Sequence, residues 1–230
     1  MSERTALPFG GGKVRMRIRS DVLHVPLYRY LDAQHADEMM ATGTVKVSTL
    51  LVCGRHGADA ARTDAGEGTR SRIYLSPSEP TPQEQLPEFA QQLLGGSGMR
   101  SNGIYVQETE PTWEHDYYVL CMSESLDETL FQRFKADACI RIDQLEPFIK
   151  ALTWALRDRV QEAVTVSPIF YGNRSGWHDR VVSDVPEQWV KPNRFAIERE
   201  VRAIWTPIAR PITAEFPRLI NIGRYATRVL

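Results

Sequence analysis

Residues 195–205, Phe-Ala-Ile-Glu-Arg-Glu-Val-Arg-Ala-Ile-Trp, constrain the fold more than any other stretch of this chain. They are rich in β-branched and aromatic residues, which predicts a strand. Because strand side chains alternate between two faces, Glu198, Glu200 and Arg202 should share one face. Neighbouring carboxylates repel each other, and Arg202 can neutralise one of them, which leaves the other available for chemistry. A charged, solvated strand face is the alternative. The opposite face should carry Phe195, Ile197, Arg199, Val201 and Ala203.

Composition describes an ordinary globular protein. The chain has 230 residues, of which 42% are hydrophobic and 25% charged, and its formal net charge is −1. Such a balance gives no general reason to expect nucleic acid or an anionic membrane as a partner. No run approaches the roughly 18 to 20 apolar residues of a membrane helix, and the N-terminus lacks the apolar core of a signal peptide. We therefore expect a soluble, cytoplasmic protein with no membrane partner. Three cysteines without metal-ligand spacing should be reduced thiols.

The pattern of elements predicts one α+β domain over residues 13–230. Residues 1–12 end in three glycines and should form a flexible arm. Residues 76–102 are broken by prolines and glycines and should be an insertion or lid. Strands outnumber helices and do not alternate strictly with them, which favours a mixed or antiparallel sheet with flanking helices. The expected strands are 13–19, 23–30, 44–51, 72–75, 103–107, 117–122, 138–142, 164–171, 195–205 and 219–222.

Capping signals predict where the helices begin. Asp32 should be the N-cap of a helix that Gly43 ends. Ser125 and Glu128 match a capping box that would open a second helix. A third helix should follow Asp143 and bury an apolar stripe with a clear helical period. Its members are Leu145, Phe148, Ile149, Leu152 and Leu156.

Three short polar features follow one another along the chain, each at the end of a predicted strand or within one. An arginine can bind the pyrophosphate of a dinucleotide through charge-assisted hydrogen bonds. A serine hydroxyl can brace such a site or contact ribose. A carboxylate can bind a ribose hydroxyl and stabilise the cation that forms when a glycosidic bond breaks. The features are Tyr28-Arg29-Tyr30, Ser123-Glu-Ser125 and Glu198-x-Glu200.

This order resembles the Arg…Ser-x-Ser…Glu-x-Glu pattern of ADP-ribosyltransferases that use NAD. The resemblance implies a split sheet like theirs and the transfer of ADP-ribose to a macromolecule, either protein or nucleic acid. It implies that Glu200 is the catalytic carboxylate, that Glu198 positions the acceptor and that Ser123 braces the site. The NAD-binding residues that it implies are Arg29, Tyr28, Tyr30 and Ser125.

The match departs from that pattern at the middle motif, which is Ser-Glu-Ser here in place of the usual Ser-Thr-Ser. Ser125 also has a competing role as a helix N-cap. An acceptor-recognition loop would lie before the acidic pair, at residues 173–193, which contain Trp177, His178 and Trp189.

The chain also resembles a widespread bacterial family of unknown function, over most of residues 27–205. Many members of that family look like toxins or phage-defence proteins, which is what the resemblance implies here. The shared motifs are Tyr28-Arg29-Tyr30, Gly43-Thr44 with Thr49-Leu50, Asp64-x-x-Glu67-Gly68, Cys121-x-Ser123 and Glu198-x-Glu200-x-Arg202.

Two other functions remain open from the sequence. A metal-dependent nuclease could use Asp64, Glu67, Glu198 and Glu200 around a divalent ion. Such sites commonly need a lysine near the acidic pair, whereas Arg199 lies between the glutamates. A non-catalytic binding module is the other alternative. The ADP-ribosyltransferase hypothesis itself requires no metal ion.

Overall fold

The computed structural model describes residues 4–5, 15–55, 69–75, 105–111, 116–172, 176–177, 186–219 and 221–230. The predicted insertion at 76–102, His178 and the acidic residues Asp64 and Glu67 lie outside this part of the chain. None of the described helices is long and apolar enough to cross a membrane. The helices are α1 (Ala33–Thr42), α2 (Leu50–Arg55), α3 (Glu128–Phe134) and α4 (Leu145–Ala155).

The described strands are short, and several lie where the alternation of apolar residues predicts them. Three 3₁₀ turns accompany them, at Glu187–Trp189, Asn193–Glu198 and Ile222–Arg224. The strands are β1 (Arg4–Thr5), β2 (Arg15–Ile18), β3 (Leu27–Leu31), β4 (Ser48–Thr49), β5 (Thr69–Leu75), β6 (Tyr105–Pro111), β7 (Tyr118–Ser123), β8 (Ala138–Ile142), β9 (Val160–Pro168), β10 (Phe170–Tyr171), β11 (Gly176–Trp177), β12 (Val190–Lys191), β13 (Glu200–Pro207) and β14 (Ala226–Arg228).

A nine-stranded mixed sheet dominates the fold, in the order β1-β2-β9-β13-β7-β3-β8-β14, with β4 added to β7. β2 and β9 run parallel, and the other neighbours are antiparallel. β11, β5 and β6 form a separate sheet, and β10 pairs with β12. The prediction of an α+β fold with a mixed sheet and flanking helices is confirmed at this level.

The edge of β7 that faces away from β13 is shared by two strands. β3 pairs with it at Tyr28 and Ser123, whereas β4 pairs with it at Ser48 and Val119. Between these positions, around Cys121, no described strand is registered on that edge. We call this divergence of β3 and β4 beside Cys121 the fork.

One face of the large sheet carries the apolar core. The predicted stripe of α4 is confirmed, since all five of its members are buried in the same hydrophobic cluster as β7, β8, β9 and β13. Trp205 on β13 is fully buried, and its indole Nε1 donates to Thr153 Oγ1 of α4 at 2.8 Å. Fully burying one large apolar side chain stabilises a fold by about 1.5–3 kcal/mol, so the many buried side chains on this face contribute strongly to stability.

Both ends of α1 lie where the sequence predicts them. Asp32 occupies the N-cap position, and Gly43 ends the helix with φ 74° and a hydrogen bond of 2.9 Å from its N–H to Met39 O. A Cβ atom at Gly43 would lie 1.8 Å from the carbonyl oxygen of Leu219. Glycine is required there both by the left-handed backbone and by this close approach.

The strand predicted over 195–205 begins only at Glu200. Residues Asn193–Glu198 form a 3₁₀ turn, and Arg199 follows it with φ 42°. The predicted facial alternation of residues 195–199 is therefore wrong. The reason is tertiary: Phe195 is fully buried beneath cations, with the Lys191 ammonium 4.7 Å and the Arg133 guanidinium 5.4 Å from its ring centre. That packing outweighs the weak intrinsic preference of this segment for a strand.

The strands expected at 23–30 and 164–171 are shifted, to Leu27–Leu31 and Val160–Pro168, and three further predictions differ more. The strand expected at 44–51 contracts to β4, because the chain turns into α2 at Leu50. The strand expected at 219–222 is wrong, and β14 forms later along the chain. The capping box is also wrong, because Asp127 is the N-cap of α3 and its Oδ1 accepts from Thr129 N at 2.8 Å. Ser125 therefore has no N-cap role.

Candidate functional site

The strands that carry the three predicted features are neighbours in the sheet, in the order β3-β7-β13. Ser123 of β7 pairs with Tyr28 on one side and with Glu200 on the other. Residues that pair directly across strands present their side chains on the same face. Tyr28, Ser123 and Glu200 therefore form one transverse row on the face opposite the apolar core.

Five charged side chains meet beside this row, and we call them the carboxylate cluster: Glu198, Glu200, Lys191, Arg202 and Arg133. Lys191 Nζ bridges the two glutamates, at 2.7 Å from Glu198 Oε2 and 2.8 Å from Glu200 Oε2. Arg202 Nε lies 2.6 Å from Glu200 Oε1, and Arg133 Nε lies 3.0 Å from Glu198 Oε1. All four carboxylate oxygens thus have a cationic donor.

The cluster is buried, which makes its pairing obligatory. Side-chain exposure is 7% for Lys191, 6% for Glu200, 3% for Glu198 and 1% for Arg202. Burial alone would lower the pKa of Lys191, but Glu200 and Glu198 more than offset it and raise that pKa. Burial raises the pKa of Glu198, while Lys191 and Arg133 act in the opposite direction. Three cations face two carboxylates, so the cluster carries one net positive charge.

Ser123 connects the row to the segment before β13. Its buried Oγ donates to Glu198 O at 2.8 Å and accepts from Ser125 N at 3.0 Å. On the other side, the hydroxyl of Tyr171 accepts from Glu200 N at 2.7 Å. Burial raises the pKa of Tyr171, so this phenol stays protonated. These two hydroxyls fix the backbone on either side of Arg199 and hence the positions of both glutamates.

Tyr30 and Ser125 make contacts within the protein, and the ligand-binding role that the resemblance implies for them stays a prediction. The Tyr30 hydroxyl donates to Ser125 O at 2.8 Å and accepts from Asp127 N at 2.8 Å. Its ring packs edge-on against Phe131 of α3, with centroids 4.9 Å apart. Ser125 contributes its backbone to these bonds. In this structure both residues hold the turn that leads into α3, while Tyr28 is half-buried in the transverse row.

Arg29 lies at the fork and does not contact either glutamate. It follows Tyr28, so strand alternation directs its side chain away from the row. Its Nη2 donates to Lys46 O at 2.7 Å, and Cys121 and Cys53 are close enough to act electrostatically on it. Burial lowers the pKa of Arg29 to about 10. Its Nη1 is the one buried side-chain nitrogen or oxygen of the described residues that lacks a hydrogen-bond partner.

Cys121 lies between the fork and the carboxylate cluster. It pairs with Arg202 across β7 and β13, and Glu200 and Lys191 both act electrostatically on its thiol. The thiol of Cys53 on α2 also acts on that of Cys121, and each shifts the pKa of the other. The two thiols pack around a small apolar cluster of Leu50, Val119 and Ile204.

The sequence does not predict that Lys191 and Arg133 bind the two glutamates. Lys191 lies in the polar segment that was predicted as an acceptor loop, and Arg133 lies on the polar side of α3. Only one signal was available: a Val-Lys-Pro run just before two closely spaced glutamates. The prediction that Arg202 neutralises one carboxylate is confirmed. The prediction that the other is left available is wrong here, because Lys191 and Arg133 bind it.

Among the residues that the structure describes, no three acidic, histidine or cysteine side chains are grouped so as to hold a metal ion. Comparisons with protein-family models, with curated proteins and with solved structures find no match for this chain.

Proposed function

We propose that the protein is an NAD-dependent ADP-ribosyltransferase with a split sheet of the ADP-ribosyltransferase kind. The observation that carries the proposal is the adjacency of β3, β7 and β13. Ser123 and Glu200 share one face, and Arg29 leaves β3 on the other, so a bound dinucleotide would have to pass through the fork, beside Cys121, to reach all three. These residues are far apart in sequence, and a binding cleft for a dinucleotide needs them on neighbouring strands. A toxin or phage-defence role would follow from such an activity on a bacterial protein or nucleic acid.

Arg29 supports this proposal through its incomplete hydrogen bonding. Arg29 is half-buried, but its Nη1 is buried without a partner, which is unfavourable unless an acceptor arrives. Guanidinium groups match phosphate oxygens in geometry and charge, and such charge-assisted bonds are stronger than neutral ones. In the proposed complex Arg29 binds the NAD pyrophosphate at the fork, and the net positive charge of the neighbouring carboxylate cluster adds to the attraction.

In the proposed reaction Glu200 is the catalytic carboxylate. When the bond from ribose to nicotinamide breaks, positive charge develops on the ribose, and a nearby carboxylate stabilises it. Nicotinamide leaves with the bonding electron pair, and a nucleophile of the acceptor forms the new bond. Both oxygens of Glu200 bind cations in this structure, so turnover requires Lys191 to release one oxygen while it stays on Glu198. Ser123, through Glu198 O, holds the backbone during that change.

The test compares Glu200→Gln with Glu124→Gln. Glutamine keeps the shape of the side chain and one oxygen acceptor for Lys191 or Arg202, whereas Glu200→Ala removes both acceptors and leaves a space beside two buried cations. We expect Glu200→Gln to reduce nicotinamide release from NAD, measured with bacterial extract as a source of acceptors, by roughly 10²-fold or more. Glu124 pairs at 3.6 Å with the exposed Arg199, outside the cluster, and its variant should retain activity. A folded Glu200→Gln protein with wild-type turnover would rule out the proposal.

Lys191 is also the specific observation that favours the nuclease alternative, because it supplies the lysine that such sites need beside an acidic pair. In a nuclease, the Lys191 ammonium would share Glu198 and Glu200 with a divalent ion. The other two predicted metal ligands, Asp64 and Glu67, lie outside the described residues. A thermal-shift comparison separates the candidates, since a ligand at 100 times its Kd stabilises the folded form by about 2.7 kcal/mol. NAD should raise the melting temperature of a transferase and Mg²⁺ that of a nuclease. A binding module for another ligand would respond to neither.

A further inference from the structure

Two thiols at the fork take no part in the proposed transfer reaction. Cys53 lies on α2 and Cys121 on β7, and both side chains are partly exposed. We propose that they form a redox modification site, an oxidisable dithiol that closes to an intramolecular disulfide when the protein meets a peroxide. This inference does not depend on the proposed function.

Tertiary packing brings the two sulfurs together from distant parts of the chain. Both side chains pack against the small apolar cluster that Leu50, Val119 and Ile204 form, and each thiol acts electrostatically on the other and on Arg29. Cys121 lies at the fork, where no described strand covers that edge of β7. The third cysteine, Cys139 on β8, is buried and does not belong to this cluster, which makes it the internal control.

The surroundings of Cys53 favour its thiolate. The neighbouring Cys121 thiol is the largest cause that lowers the pKa of Cys53, to about 7, and Ser48 and Arg202 act in the same direction. Burial and Glu200 oppose this, and Arg29 faces the thiols from β3. Burial raises the pKa of Cys139 to about 11. Because the thiolate is the nucleophile, Cys53 should react first.

The reaction balances in two steps. The Cys53 thiolate attacks one oxygen of hydrogen peroxide, so that an S–O bond forms, the O–O bond breaks, and hydroxide leaves and takes up a proton. The Cys121 sulfur then attacks the sulfur of the Cys53 sulfenic acid. An S–S bond forms, the S–O bond breaks, and the second water carries away the thiol proton. Two electrons pass from the thiols to the peroxide.

The test treats the reduced full-length protein with a small excess of hydrogen peroxide and maps its peptides by mass spectrometry. We expect the loss of two hydrogen atoms, a Cys53–Cys121 cross-linked peptide and full reversal by a dithiol reductant. The Cys139→Ala variant should behave in the same way. The Cys121→Ser variant should stop at the sulfenic acid, which dimedone traps on Cys53. At pH 7, iodoacetamide should label Cys53 at least about tenfold faster than Cys139.

Several results would overturn the inference. One is a peroxide-treated protein in which Cys139 oxidises while the other two thiols persist. Another is cross-linking only between separate molecules. A third is a Cys121→Ser protein that keeps its circular dichroism spectrum yet yields no dimedone adduct. Because Cys53→Ser removes both the nucleophile and one sulfur of the proposed bond, an intramolecular disulfide in that variant would join Cys121 to Cys139 and would contradict the proposed pairing.

Discussion

The carboxylate cluster and the fork lie side by side on the same sheet, and both bury charge. In the cluster every carboxylate oxygen binds a cation at 3.0 Å or less, so the charges satisfy one another. At the fork, Arg29 has one hydrogen bond to Lys46 O, and its Nη1 lacks a partner among the described residues. The first arrangement stabilises the fold around the site. The second is unfavourable by itself and favours an anionic ligand.

This difference gives a way to distinguish a buried charge that stabilises the fold from one that binds a ligand. Truncating one member of a satisfied buried network leaves its partners uncompensated and costs stability. Truncating a buried charge that has few partners costs little stability and removes binding instead, since binding sites keep unfavourable groups for their function. Measurements of folding and binding on matched variants of the two regions test this distinction directly.

The largest expected effect is on Lys191. The Lys191→Met variant leaves two buried carboxylates facing each other, so its free energy of unfolding should fall by about 3–5 kcal/mol. The loss should be smaller at acidic pH, because protonation of one glutamate removes the repulsion. Denaturant titration at several pH values measures both, with Lys46→Met, at an exposed lysine, as the control. A loss no greater than that of the control would show that the cluster is not structural.

The matching change at the fork is Arg29→Met. Its free energy of unfolding should change by less than about 1 kcal/mol, because the lost bond to Lys46 O is offset by removal of a buried charge. Burial lowers the pKa of Arg29 to about 10, so this charge disfavours folding below that pH, and the penalty fades as pH rises through it. Any gain from Arg29→Met should therefore be largest at neutral pH and shrink in alkaline buffer.

Binding should respond in the opposite way to stability. The interaction of inorganic pyrophosphate or NAD with Arg29→Met should weaken by at least about tenfold, as expected for the loss of charge-assisted hydrogen bonds worth about 1.5–3 kcal/mol. Isothermal titration calorimetry measures this, with Arg17→Met on the distant strand β2 as the matched control. Unchanged affinity in Arg29→Met would remove the fork from the proposed site.

A smaller effect is expected at Ser123. Ser123→Ala deletes the donor to Glu198 O and the acceptor for Ser125 N, which should cost about 1–2 kcal/mol in the free energy of unfolding. Ser125→Ala is the control, because the described contacts of Ser125 use its backbone. If both variants unfold at the same denaturant concentration, Ser123 does not brace the cluster.

The smallest effect is expected at Arg199, which has φ 42° between the two glutamates. The left-handed conformation costs a residue with a Cβ roughly 1–2 kcal/mol, and glycine avoids that cost but loses more entropy on folding. Arg199→Gly should therefore be neutral or raise the free energy of unfolding by up to about 1 kcal/mol. A clear destabilisation would mean that the exposed ion pair with Glu124 matters more than the backbone strain.

The sequence anticipated those features that depend on local chemistry. The predicted apolar stripe of α4 is buried in the structure, because burying one face of a helix needs only the correct spacing of apolar residues. Gly43 was identifiable because few other residues adopt its backbone conformation. β7 and β8 are apolar enough that burial alone fixes them as strands. The larger errors, at residues 44–51, 193–199 and 219–222, fall where local preference is weak.

The sequence by itself determined an α+β chain, the caps of α1, the core face of α4 and a pair of glutamates close to Arg202. Tertiary structure alone decided that Lys191 and Arg133 close the acidic pair, that β3 and β4 diverge from β7, and that Cys53 meets Cys121. The physical reason is the sequence separation over which each interaction acts. Helix periods and caps depend on neighbours within one or two helical turns. The partners of a buried charge depend on which distant strands become neighbours in the sheet.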